Sequence, residues 1–330
     1  MPMPISPLGR LKVAVTVDDM LQFRGVPYAD GYTAMRVNTS FVETFKRHGL
    51  SGIYQFSNTG PAEDDPALLK VFDMWVENGH HIGNHTHHHA SLNWLEPDQY
   101  IQGIEIADKY IGRWIDAAPR KCFRFCMDMW GDTECKCAEV LRYLGQRNFM
   151  PVPVSAAFHD FGWQAAHLRL ARRGSADDLA AFRDKFVASA VHQLRVSSAN
   201  ARAVFGRDPV IIWLIHGTAI ASECLDRILT EFRAADVDFV PLDDAMADEV
   251  NNTVPPRVTP EFIFQIEKWA LAKGVPVNDL HPLALTEIES LHPAPGEDQA
   301  DLIQSFFTHI ARGTGKPTPT FPASLDQHPR

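Results

Sequence analysis

The sequence predicts an α/β fold, a distorted (β/α)7 barrel with a C-terminal helical appendage, from three observations. Short apolar runs alternate with helix-period segments over residues 11–250, about seven such runs occur, and the alternation stops near residue 250. Alternating elements imply parallel strands joined by right-handed crossovers, hence a barrel or a doubly wound sheet, and seven strands favour the barrel. A chain of 330 residues holds one such domain of about 250 residues plus an extension.

The expected strands are 11–17, 52–56, 81–85, 122–125, 149–155, 209–216 and 238–241. Most are continuous apolar runs, the pattern of strands buried on both faces. Ser40-Phe41-Val42-Glu43 has capping-box spacing and opens a helix that stops at Gly49. Pro66 opens another, apolar at Leu68, Leu69, Phe72, Trp75 and Val76, that stops at Gly79. Segments 97–115, 133–144, 176–205 and 222–235 complete the helices. Residues 24–38, with Tyr28, Asp30, Tyr32 and Arg36, read as a long loop after the first strand, either a substrate lid or an insertion. Beyond Val250 come a polar, proline-bearing linker, amphipathic stretches at 260–272 and 297–312, and a proline-rich tail. The expected organisation is a barrel domain over 1–250 and a helical extension over 251–330, capping the barrel's edge or forming a homo-oligomer contact.

Composition narrows the function classes. With 45% hydrophobic and 22% charged residues the chain is an ordinary globular protein. A net charge of −10 argues against nucleic acid and anionic membranes as partners. A small-molecule or oligosaccharide substrate fits better. The start lacks a charged segment followed by an apolar one, and the five cysteines are an odd number, so the reading is cytoplasmic with free thiols. The excess of histidine is the anomaly: 15 in all, six of them between His80 and His89.

Three groups of residues can carry chemistry. Asp18 and Asp19 follow the first strand directly, at the strand end where α/β barrels place their active sites. Adjacent carboxylates leaving a strand point different ways, so one can bind a metal while the other moves a proton; an aspartate pair there is also a common helix cap. His85 and His89 are spaced for one face of a helical turn and could grip one ion, although His81 and His85 share that spacing and an exposed polar loop would look the same. His216 ends the most apolar strand, where a histidine is either a core residue or a catalytic group.

Together these stretches resemble the NodB-homology polysaccharide deacetylases, the carbohydrate esterase family 4 type. The resemblance rests on Thr16-Val17-Asp18-Asp19, Gly79-His80-His81-Ile82-Gly83-Asn84-His85-Thr86-His87-His88-His89, Phe123-Arg124-Phe125 and Leu214-Ile215-His216. It implies a distorted (β/α)7 barrel and a metal-dependent hydrolase of a carbon–nitrogen amide bond. Asp19, His85 and His89 would hold one divalent ion, Zn2+. Asp18 would be the base, His216 the acid, Leu214 the lining of the acyl pocket and Arg124 the partner of Asp18. Asp160-Phe161-Gly162-Trp163 resembles the family's Asp-x-x-Trp segment, with Asp160 or a neighbour orienting His216 and Trp163 a groove wall.

The third motif departs from the family's Arg-x-Pro-aromatic pattern, reading Arg124-Phe125-Cys126-Met127. Met127 therefore takes the substrate-contacting position whose backbone N–H serves the oxyanion, and an altered groove is expected. Cys122, Cys126, Cys135 and Cys137 are read as packing residues, with a structural zinc as the alternative. With no export signal apparent, an N-acetylated sugar, an oligosaccharide precursor or a non-sugar amide is preferred to a cell-wall polymer. An O-acetyl ester or a cyclic amide or imide could use the same site. The other class is a non-catalytic carbohydrate- or metal-binding protein, which has no need of both a base and an acid.

Overall fold

The computed structural model describes residues 10–278 and 284–318 and contains the seven expected strands. They are β1 Leu11–Asp18, β2 Tyr54–Ser57, β3 His81–Asn84, β4 Cys122–Phe123, β5 Met150–Pro151, β6 Ile211–His216 and β7 Val237–Phe239. All pair in parallel, in the order β5-β4-β3-β2-β1-β6 with β7 also against β1. The sheet curls until Ala156, just past β5, makes a single parallel bridge to Trp213 of β6. The result is a parallel half-barrel wrapped by helices, in which β1 pairs with three strands, β2, β6 and β7, and is buried along almost its whole length. The runs expected at 122–125 and 149–155 give only two-residue strands. Pro151 and Pro153 lack ladder donors, which cuts β5 short.

The helices are α1 Ala34–Arg47, α2 Gly60–Asp64, α3 Lys70–Glu77, α4 Pro97–Ala117, α5 Glu134–Gln146, α6 Gln164–Arg173, α7 Ala176–Phe205, α8 Ala219–Ala234, α9 Leu242–Ala247, α10 Glu249–Asn252, α11 Gln265–Lys273, α12 Ala284–Glu289 and α13 Gln299–Thr314. Two starts differ from expectation. Thr33, not Ser40, caps α1 by accepting from the Arg36 N–H, and Ser40 donates instead to the Ser222 carbonyl. Thr218 likewise caps α8 ahead of Ser222. The long loop expected at 24–38, read as a lid or an insertion, is therefore shorter and more tightly held: residues 34–38 are helical, and Tyr32 donates to Glu223 Oε1 at 2.5 Å. Helix α6 was not expected, because its buried face mixes Gln164, His167 and Arg169 with leucine and alanine.

Cysteines Cys122, Cys126 and Cys137 are buried and Cys135 is exposed, all as free thiols. Among the described residues the four do not gather around one point, which removes the structural-zinc alternative.

The C-terminal segment packs over the barrel mouth. Lys268 of α11, almost fully buried, donates to Asp128 Oδ2 at 2.6 Å. Buried Arg169 donates to the carbonyls of Glu289 (3.0 Å), Leu291 (3.0 Å) and Glu297 (2.7 Å). Helix α13 sits closer than a side chain at either contact would allow: a Cβ on Gly25 would fall 2.5 Å from the His309 ring of α13, and one on the helix's own Gly313 2.4 Å from the His88 ring. Its apolar face, expected for an edge or an oligomer contact, is turned inward, with Phe307 and Ile310 buried. Most of the proline-rich tail lies outside the described residues. No described helix is long and apolar enough to cross a membrane.

Lys268→Ala leaves the Asp128 carboxylate buried without its cation, a change that costs about 3–5 kcal/mol. Urea unfolding should show that loss, and the double variant Lys268→Met with Asp128→Asn should recover much of it; an unchanged midpoint for the single variant would remove the pair as a fastening.

Candidate active site

The residues expected to carry chemistry lie at strand C-termini or in the segments that follow them. Asp18 ends β1, and Asp19 turns the chain in the left-handed region at φ 56°, which aspartate tolerates better than most residues. The two carboxylates consequently make different contacts. Asp18 Oδ1 accepts from Arg124 Nη1 at 2.7 Å, and its Oδ2 lies 3.7 Å from His85 Nε2. Asp19 Oδ1 accepts from Asn58 Nδ2 at 2.8 Å. Its Oδ2 is buried, accepts no hydrogen bond from a described residue, and lies 3.3 Å from His89 Nε2 and 4.0 Å from His85 Nε2.

His85 and His89 meet without the helical turn expected from their spacing. Thr86 and His89 are both left-handed, with φ 63° and 56°, so the loop folds back on itself. Thr86 braces it: its N–H donates to Asn84 Oδ1 at 2.8 Å and its Oγ1 accepts from the His89 N–H at 3.1 Å. The two rings end 4.8 Å apart. His85 Nδ1 donates to the Arg124 carbonyl at 2.8 Å, which fixes the tautomer and leaves the Nε2 lone pair facing the carboxylates. The other histidines of the run pack elsewhere. His80 lies against Trp75 and Phe45, His81 against Tyr54, and His87 bonds Thr59 Oγ1 at 2.8 Å.

This donor set fits a divalent cation. Burial pushes the Asp19 carboxyl up, but His89 and His85 beside it outweigh burial and hold it well below the usual carboxylate range. Burial pushes His85 down and so favours the neutral, ligating imidazole. Cys126 also approaches: ligand atoms of His85, His89 and Cys126 lie within 4.8 Å of one another. Burial, however, pushes that thiol up, and its Sγ lies 3.3 Å from the His85 carbonyl as a donor, so the ionised Asp19 is the better third ligand.

Arg124 is fully buried and also donates to Thr16 Oγ1 at 3.0 Å. Across the cleft, Asp160 grips His216 twice, accepting from its backbone N–H at 2.7 Å through Oδ2 and meeting Nδ1 at 2.7 Å through Oδ1. Burial lowers the pKa of His216, but Asp160 first, then Asp19 and Asp18, raise it to about 9. Since this lies above the ordinary 6.5, the charged ring stabilises the fold fully below about pH 6.5 and loses that contribution as pH rises through about 9.

These groups open onto a cleft of about 950 Å³, counted out to its mouth. Leu214 and Met127 line it as expected. Trp163 does not: it is fully buried between Phe182 and Phe186, and Phe161 of the same segment faces the cleft instead. Sequence reasoning missed Phe23, Phe262, Phe264 and Phe306, which also line it. For the last three the signal was the amphipathic character of 260–272 and 297–312, which foretells burial but not the surface against which it occurs.

Residues 7–146 match the family model described as polysaccharide deacetylase. Over this stretch the chain is similar to that family. The stretch includes Asp18, Asp19, His85, His89 and Arg124, while Asp160 and His216 lie beyond the match. No curated protein matches the chain by sequence. Similar solved structures include the family 4 carbohydrate esterase PdaA of Bacillus subtilis, with 18% identity, coverage of 73% of this chain and 83% of that one, and a TM-score of 0.46. A family 4 acetyl xylan esterase of Clostridium thermocellum, in complex with a cobalt ion, has 16% identity, 72% and 90% coverage and a TM-score of 0.45. A family 4 pseudoenzyme of Bacillus anthracis has 14% identity, 71% and 65% coverage and a TM-score of 0.45.

In chelator-treated protein the His216 ring should titrate near pH 9 by NMR. Asp160→Asn should lower that value by about 1–3 pH units, the usual effect of removing a contacting opposite charge. An unchanged titration would show that Asp160 does not hold the proton on His216.

Proposed function

We propose that the protein is a metal-dependent hydrolase of a carbon–nitrogen amide bond, an N-deacetylase acting on a soluble small or oligomeric substrate. The observation that carries this reading is the buried Asp19 Oδ2, without a hydrogen bond, facing two imidazole nitrogens. An Asp18–Arg124 pair and an Asp160–His216 pair complete the set. A binding protein would need neither a base nor an acid beside its ion, so the pairs favour an enzyme.

Asp19, His85 and His89 would hold one divalent ion, Zn2+ being the natural choice for two imidazoles and a carboxylate. When bound it would polarise the amide carbonyl and lower the pKa of water, from about 15.7 to about 7 in the best cases. Asp18 has one oxygen committed to Arg124, so its Oδ2 is the atom that takes the proton of the attacking water. His216, held by Asp160 at Nδ1, presents Nε2–H to the departing nitrogen and protonates it as the C–N bond breaks. Leu214 lines the acyl side, and Met127 takes the position whose backbone N–H faces the developing oxyanion. The same groups could attack an ester or cyclic amide carbonyl.

Elemental analysis of metal-replete protein should find about one ion per chain, and Asp19→Ala should lose it. Asp18→Asn should keep the ion while kcat falls by about 10²–10⁴. Absence of any ion, or full activity in Asp18→Asn, would overturn the assignment.

A further inference from the structure

We propose that the cleft takes an amide whose remaining substituent is apolar, an aromatic or branched alkyl group, and disfavours sugar rings, because the chain's own C-terminal segment roofs the catalytic groups with hydrocarbon. The amide itself rests on the hydrolase reading above; the apolar substituent does not.

Two hydrocarbon flanks border the catalytic groups. Beneath α13, Phe306 lies with its ring 4.4 Å from Phe23 and 5.4 Å from His89, directly against the ion-binding side. Beside Leu214, the buried residues Val154, Ala157 and Phe264 form one apolar cluster. Phe264 comes from the segment leading into α11, so both flanks depend on residues beyond 250. The close seating of α13, its His309 over Gly25 and its own Gly313 over His88, holds the first flank in place.

Three polar lining residues outside the catalytic set already bond to the protein. Gln299 donates to the Phe161 carbonyl at 3.0 Å and accepts from the Ala165 N–H at 3.2 Å. Asp128 Oδ1 accepts from Trp130 Nε1 at 2.9 Å and Oδ2 from Lys268. Gln164 Oε1 accepts from Gln22 at 2.9 Å, and the His159 ring sits among Phe161, Phe262 and Phe264. A sugar ring entering here would exchange water for hydrocarbon at its hydroxyls and find few partners. An aromatic or alkyl group would bury its surface against those same walls and lose nothing.

Calorimetric titration of zinc-loaded, full-length Asp18→Asn protein with N-(naphthylmethyl)acetamide, N-acetylglucosamine and the N-acetylglucosamine trimer tests this without turnover. The naphthyl amide should bind at least about tenfold more tightly than either sugar. Adding Phe306→Ala, and separately Phe306→Gln, should remove most of that margin while thermal unfolding shows both still folded. Sugar binding as tight as the naphthyl amide, no binding of the naphthyl amide, or a margin unaffected by both Phe306 variants overturns the proposal. The margin with no hydrolysis of any amide by the unmutated protein would sustain the pocket assignment and sink the hydrolase reading; hydrolysis of the sugars without the margin would do the reverse.

Discussion

The site depends on one buried cation. Arg124 has no exposed surface, and its guanidinium stacks 4.1 Å from the Phe56 ring centroid and reaches Asp18 and Thr16. Its own carbonyl accepts from His85 Nδ1. A single residue therefore sets both the direction of the proposed base, Asp18, and the tautomer of a proposed ligand, His85. Burying a guanidinium is tolerable only with a carboxylate and further acceptors around it, so Asp18 and Arg124 need each other before any substrate arrives. Arginine suits the place because it stays charged and offers several donors in a rigid plane, which a lysine could not match.

Much of this was legible in the sequence because strand ends are local features. An apolar run followed by Asp18-Asp19, and another ending in His216, point to one face of a parallel sheet before any contact is known. The pairing of His85 with His89 was legible, but not through the helical turn that their spacing suggests. Two left-handed residues and the Thr86 hydroxyl bring the rings together, and spacing alone does not distinguish such a loop from a helical turn. Asp160 was found through its short motif, whereas Trp163 in the same motif faces the core. Burial of a tryptophan depends on which side of a turn its neighbours occupy, and one sequence does not record that.

Helix starts failed for a different reason. Ser40 and Ser222 both have the chemistry of a cap, but each lies inside a helix, and Ser40 donates to the Ser222 carbonyl of the neighbouring helix. Tertiary contact took the Ser40 hydroxyl, the Ser222 hydroxyl donates to the Ala219 carbonyl of its own helix, and Thr33 and Thr218 took the caps. The docking of α13 was equally hidden. Ser305 bonds the Gly25 carbonyl across 280 residues of sequence, and an amphipathic face states only that burial occurs.

The C-terminal segment is tied to the chemistry through backbone strain as well as through the cleft wall. Met127 and Asp128 are both left-handed, at φ 57° and 49°, an unfavourable conformation for methionine in particular. Such a turn persists only where its surroundings over-determine it. Here Lys268 of α11 anchors Asp128 at both its carboxylate and its carbonyl, while Trp130 and the Val154 N–H hold the other carboxylate oxygen. Met127, which stands where the family pattern has an aromatic residue, is thus positioned by a helix beyond residue 250. A helix outside the barrel thereby constrains the turn that carries Cys126 and Met127, which stand where the pattern the sequence resembles has a proline and an aromatic residue.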